Sequence, residues 1–111
     1  MKIAEKSSII SKEERLKFLL EAVGKNINRL RGRTSEEDFA RIAKIARSTL
    51  RRIEGGNSIS LETLLKIAEA LNVDPADLFI TDEQRKEITR LHIILFEKLR
   101  ETLNITSKKE G

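Results

Sequence analysis

Between Ser35 and Gly56 the chain reads Ser-Glu-Glu-Asp-Phe-Ala-Arg-Ile-Ala-Lys-Ile-Ala-Arg-Ser-Thr-Leu-Arg-Arg-Ile-Glu-Gly-Gly. Ser35 with Asp38 three residues later is a helix start, because the serine hydroxyl can accept from an amide of the first turn. Phe39, Ala40 and Ala43 then share one face. Lys44-Ile45 is a turn, and Ala46 or Arg47 opens a second helix that runs over about 46–53. Gly55-Gly56-Asn57-Ser58 is the clearest loop in the chain. A short helix braced against another is a standard way to carry side chains into the DNA major groove. Five cations and no acid lie between Arg41 and Arg52, the charge that a phosphate backbone attracts.

Composition narrows the setting. A chain of 111 residues is one domain, or a small domain with extensions. With 39% hydrophobic residues, four Phe and no Trp or Tyr, its core must be aliphatic. One Pro, five Gly and 36% charged residues suit an all-helical protein. The absence of Cys excludes a disulfide framework and a thiolate metal site, and His92 is the single imidazole. No Gly-rich phosphate loop or paired carboxylates face a pocket, so neither an enzyme nor a cofactor or metal site is expected. No apolar run at the start resembles a signal peptide and none reaches membrane length, which points to the cytoplasm.

The net charge of +4 is unevenly spread. Residues 24–56 hold nine Lys/Arg against four acids, whereas residues 57–83 hold Lys66 alone against six. Such asymmetry predicts one basic face for an anionic partner.

The rest of the chain reads as further helices. The first ten residues look frayed. Ser11 with Glu14 is a capping box, followed by Leu16, Leu19, Leu20, Val23, Ile27 and Leu30 at helical spacing. Gly24 either breaks this stripe into two helices or weakens one long helix, and Gly32 ends it. Ser60 with Thr63 opens a fourth helix with Leu61, Leu64, Leu65, Ala68 and Leu71 as its buried stripe. Asp74-Pro75-Ala76-Asp77 is a strong helix start that folds Leu78 and Phe79 onto the core. Thr81 or Asp82 caps a long last helix to about Leu103, with Ile88, Leu91, Leu95 and Leu99 on one stripe. No β signal and no internal repeat is present.

In their order these segments resemble the helix-turn-helix domain of the phage-repressor and Cro family, also called the xenobiotic-response-element family. The matching residues are Gly24-Lys25, Ile27, Leu30-Arg31, Ser35 to Gly56, Ser60 to Leu71 and Asp77-Leu78-Phe79, about half of the chain. The resemblance implies an all-α fold, a five-helix repressor-like domain with added N-terminal and C-terminal helices. The expected division is an N-terminal extension over 1–23 with a helix from about 12, a DNA-binding domain over 24–80, a C-terminal helix over 81–105, and a disordered tail over 106–111.

The resemblance also assigns roles. Residues matching Arg47, Ser48, Thr49 and Arg52 face base edges in the family, and arginine can grip a guanine with two hydrogen bonds. Phosphate contacts fall to Arg33, Ser35 at the start of helix 2, Arg51, Asn57 and Ser58. Glu54 matches an acid that pairs with an arginine of helix 1, here Arg31. Three positions depart from the pattern. The Arg31–Ser35 connection is two residues shorter than usual and lacks an apolar residue before the cap. Glu36 stands where Gln commonly contacts a phosphate, and a carboxylate there repels one. Lys44 stands where Gly is common, and a left-handed lysine costs on the order of 1 kcal/mol.

Other features have plainer readings. Glu36-Glu37-Asp38 suits the positive end of a helix dipole better than a metal, and His92 among apolar neighbours suits packing or surface. The Ile88, Leu91, Leu95 and Leu99 stripe is assigned to a dimer interface, with Leu16, Leu19, Leu20 and Val23 as the other surface. The rival reading packs the two added helices within one monomer. The expected function is a sequence-specific transcriptional regulator, a homodimeric repressor that binds double-stranded DNA. The alternative is an antitoxin that holds a toxin or another protein partner through its added helices and represses its own operon.

Overall fold

The computed structural model describes residues 10–110, with side chains through residue 104. The fraying expected at the start of the chain falls mainly on residues 1–9, outside the described residues. Regular structure among the described residues is helical throughout: α1 (Lys12–Arg31), α2 (Glu36–Ala43), α3 (Arg47–Glu54), α4 (Leu61–Leu71), a 3-10 turn (Pro75–Phe79) and α5 (Asp82–Glu110). The chain divides into two compact units at Ile80/Thr81. No helix of the described residues is long and apolar enough to cross a membrane.

The starts of the helices follow from short polar side chains. Ser11, Ser35 and Ser60 each accept a hydrogen bond at 3.1 Å from the amide three residues on, those of Glu14, Asp38 and Thr63. Asp74 accepts from the Ala76 amide at 2.9 Å, and Pro75 follows at the first helical position, where its missing N–H has no cost. Thr81 and Gln84 cap α5 reciprocally, each side chain accepting from the other's amide at 3.1 and 3.0 Å.

The ends require backbone that few residues tolerate. Lys44 closes α2 at φ 60°, ψ 45°, and Asn72 closes α4 at φ 56°, ψ 46°. Asparagine visits the left-handed region readily, whereas lysine there carries a strain on the order of 1 kcal/mol. Two amides offset it: Lys44 N–H and Ile45 N–H reach back to the α2 carbonyls of Arg41 and Ala40 at 3.2 and 3.0 Å.

The core of the first unit is aliphatic with one aromatic ring. Val23 and Ile27 of α1, Phe39, Ala40 and Ala43 of α2, Leu50 and Ile53 of α3, Leu64, Ile67 and Ala68 of α4, and Leu78 form it. Ala40 and Ala43 let α2 approach its neighbours closely, while Leu50 and Ile53 seat α3. The one buried polar side chain among the described residues, Asn26, donates from Nδ2 to the carbonyls of Leu78 and Ile80 at 2.8 and 2.7 Å. It thereby satisfies backbone acceptors at the end of the unit that burial would otherwise leave unpaired.

Four sequence expectations are corrected. In α4 the inward stripe is Leu64, Ile67 and Ala68, with Leu71 partly buried against it, while Leu61 and Leu65 are exposed. A stripe centred on 64, 67, 68 and 71 puts positions 61 and 65 off its edge, since they stack on one another along a different line of the helix. Phe79 is also exposed: it directly follows the fully buried Leu78, and consecutive side chains diverge. The last helix continues to Glu110, past the tail expected from 106, since no Gly or Pro precedes Gly111 to stop it. Finally, α1 runs through Gly24 without a break, so the N-terminal addition is the first half of helix 1.

Gly24 has a packing reason. A Cβ built there would lie 2.7 and 2.8 Å from the carbonyl oxygens of Ile53 and Glu54, backbone atoms that cannot step aside. Glycine thus lets α1 cross directly against the end of α3. In an exposed helix, Gly→Ala stabilises by about 1 kcal/mol. Here Gly24→Ala is expected to destabilise by about 1–3 kcal/mol through overpacking, measured by chemical denaturation. A stabilised variant would refute the close approach.

Candidate nucleic-acid interface

The site is built on α3, eight residues long, whose two faces differ in kind. Leu50 and Ile53 are buried, with Ile45 just before the helix packed partly against the core. Arg47, Ser48, Arg51 and Arg52 are exposed and Thr49 is half-buried. The helix begins at Arg47, with Ala46 as a cap that contributes no side-chain hydrogen bond. Its first-turn amides therefore lack a side-chain acceptor, a terminus suited to an anion.

Its other end is firmly closed. Gly55 N–H bonds to the carbonyls of Arg51 and Arg52 at 3.1 and 3.2 Å, and Gly56 N–H to Ile53 at 3.0 Å. Asn57 donates its backbone amide at 3.1 Å and its side-chain amide at 2.9 Å to the Arg52 carbonyl. Asn57, expected as a phosphate contact, thus has one side-chain N–H committed to the helix end. Ser58 beside it and Arg33 before α2 are exposed. Ser35 is engaged in capping α2 through its oxygen, which leaves its hydroxyl proton to donate.

Two ion-pair systems involve α3, and the first anchors its end. Arg31 on α1 grips Glu54 with Nε at 2.6 Å and Nη2 at 3.0 Å, a two-pronged arrangement. Its Nη1 donates to the Thr34 carbonyl at 2.8 Å, and Asn28 Nδ2 adds a bond to Glu54 at 3.2 Å. Both charged side chains are largely withdrawn from water, at 12% and 10% exposure. The hydrogen bond to Glu54, with the charges of Glu54 and Glu36, holds the Arg31 guanidinium above its ordinary pKa against partial burial.

The second system was not visible in the sequence. Glu36, the first residue of α2, lies 3.2 Å from Nε of Arg51 and 3.7 Å from Nε of Arg47, both through Oε2. The hydrogen bond from Arg51, with the charges of Arg51, Arg47 and Arg31, holds the Glu36 carboxyl below the usual carboxylate range. The two pairs reach across the turn between helices, so no helical spacing announces them. Knowledge that the first turn of α2 abuts α3 would have been needed. Glu36 therefore faces the arginines that its charge attracts, rather than standing as an isolated repulsive acid.

The stripe of Ile88, Leu91, Leu95 and Leu99 belongs to the second unit and is exposed along α5, as are Ile93, Ile94, Phe96 and Leu103. Arg100 sits over the Phe96 ring, 5.4 Å from its centre. Among the described residues no group of three or more His, Cys, Asp or Glu could hold a metal ion.

A helix-turn-helix family model matches residues 25–78, from the second half of α1 to the 3-10 turn. The restriction-modification controller protein C.AhdI from Aeromonas hydrophila is similar in sequence and structure. It is 33% identical, with a TM-score of 0.51 over 54% of this chain and 96% of that chain. No curated protein matches the chain.

The pair at the foot of α3 has a measurable consequence. Glu54→Gln leaves the largely buried Arg31 charge without its counter-ion, and is expected to cost about 3 kcal/mol of stability. Denaturant titration checks this. A destabilisation below about 0.5 kcal/mol, the scale of an exposed pair, would show that the pair does not anchor α3.

Proposed function

Because the chain belongs to the xenobiotic-response-element family of helix-turn-helix proteins, we propose that it is a sequence-specific DNA-binding transcriptional regulator that reads the major groove with α3. The observation that carries this reading is the two-faced α3, apolar and buried on one side, with Arg47, Ser48, Arg51 and Arg52 exposed. Arg47 and Arg52 take base edges, with Ser48 and Thr49 beside them. Arg51, Arg33, Ser35 and Ser58 take phosphates, with Asn57 contributing its remaining N–H. A restriction-modification controller among similar structures supports a regulatory role.

The regulator acts as a homodimeric repressor, with α5 as the surface that joins two copies. Eight large apolar side chains between Ile88 and Leu103 stand at 40% exposure or more, more than an isolated soluble helix leaves to water without a partner. Two copies of α3 about 34 Å apart then fit successive major grooves and a near-palindromic operator. Leu91→Asp with Leu95→Asp is expected to convert the dimer to a monomer by light scattering. An unchanged mass would remove α5 as the interface.

Selection from random oligonucleotides at two salt concentrations tests the main reading. Arg47→Ala and Arg52→Ala are expected to relax preference at particular base pairs, each by about 1–3 kcal/mol. Arg51→Ala instead weakens all sequences alike and lowers the salt slope by about 0.9 for each phosphate it ceases to neutralise. Purified protein that enriches no sequence would defeat the proposal.

A further inference from the structure

Glu36 is an acid on a face proposed to meet a polyanion. Its pairs with Arg47 and Arg51 do not explain its presence through stability. The two arginine side chains are 55% and 65% exposed, and exposed pairs contribute little to folding. The joint between α2 and α3 is already held by Phe39, Ala40, Ala43, Leu50 and Ile53.

The geometry of the pairs suggests a different purpose. One carboxylate oxygen, Oε2, faces the Nε of both arginines. Nε is the inner edge of a guanidinium, and the two terminal nitrogens are the fork that grips guanine or phosphate. Among the described residues the terminal nitrogens of Arg47 and Arg51 make no hydrogen bond, so both forks stay available while Nε of Arg51 is hydrogen-bonded to Glu36 and Nε of Arg47 is ion-paired with it at 3.7 Å. Side chains fixed beforehand lose less freedom on binding. A fixed fork also rewards a base edge at the right place over one displaced from it.

The same charge works against indiscriminate attraction. A phosphate that approaches Arg51 must share it with a carboxylate already in place, so exchanging one anion for another gains little. A base edge brings no such anion. Attraction to the backbone is thereby reduced, while the hydrogen bonds that read sequence are retained.

We infer that Glu36 is a specificity-determining positioning residue: its Oε2, 3.7 Å from Nε of Arg47, orients that arginine for base readout, and its bond to Nε of Arg51 subtracts from the pull of Arg51 on the phosphate backbone. This rests on the proposed reading of DNA by α3. The ionised state it requires is secure near neutral pH, because the neighbouring arginines keep the carboxyl below its usual range.

The test compares wild type, Glu36→Gln, Glu36→Ala and Glu83→Gln, the last making the same change of net charge on α5. Each is titrated with the selected operator and with a scrambled duplex at 50 and 200 mM salt. Glu36→Gln is expected to tighten scrambled-duplex binding at low salt. Its loss of affinity between the two salts should grow about threefold, the effect of neutralising one further phosphate. Glu36→Ala should also lower the operator-to-scrambled ratio by roughly tenfold, the weight of one loosened base contact. Glu83→Gln should leave that ratio at the wild-type value.

If wild type discriminates and Glu36→Ala keeps the full ratio, Glu36 does not position Arg47 and the inference fails alone. It also fails if Glu36→Gln and Glu83→Gln change binding equally, since bulk charge then suffices. A wild-type chain that does not discriminate would overturn the reading of α3, and this inference with it.

Discussion

The crossing of α1 against the end of α3 governs this fold. Gly24 brings the two helices to contact at the Ile53 and Glu54 carbonyls. One turn further along α1 Asn28, and two turns further Arg31, meet the Glu54 side chain, because residues four and seven apart share a helix face. A backbone contact and a buried ion pair thus act on the same few residues. Together they set where α3 lies, and so what its outer arginines can reach. The aliphatic core supplies most of the burial, but apolar packing is tolerant of small shifts, whereas a two-pronged arginine contact is not.

The α2–α3 side of the helix is defined differently. There the apolar contacts of Phe39, Ala40 and Ala43 are supplemented by a turn in which Lys44 accepts left-handed backbone. The strain is small beside the two amide bonds it permits. At the exposed edge of the same joint, Glu36 pairs with two arginines of the next helix. One helix thus carries a buried ionic anchor at its end and an exposed ionic brace along its start. Burial decides their difference in character: the first is costly to break, the second is free to exchange partners.

Much of this was legible in the sequence because it depends on local chemistry. The serine caps at 11, 35 and 60 and the Asp74-Pro75 start follow from residues within one turn of each other, while the left-handed turn at Lys44 came from the family resemblance. Family resemblance supplied the Arg31–Glu54 pair, which spans 23 positions. What escaped was non-local and had no periodic mark. Gly24 reads as a weak point of a helix until the opposing carbonyls are known. Asn26 carries no mark in the sequence of the acceptors it meets at Leu78 and Ile80, 52 and 54 positions away. The α4 stripe failed for another reason: leucine is apolar on any face, and the composition of Leu61-Glu62-Thr63-Leu64-Leu65 does not say which leucines face inward.

Asn26 has a consequence for how the first unit comes apart. Its side chain ties the second half of α1 to the last backbone of the unit at Leu78 and Ile80. A chain segment that closes a unit ordinarily frays first, because nothing follows to hold it. Here release of the 3-10 turn breaks both bonds and strands a buried amide, a cost of about 1–3 kcal/mol. The amides of that turn are therefore better protected than those of an untethered chain end.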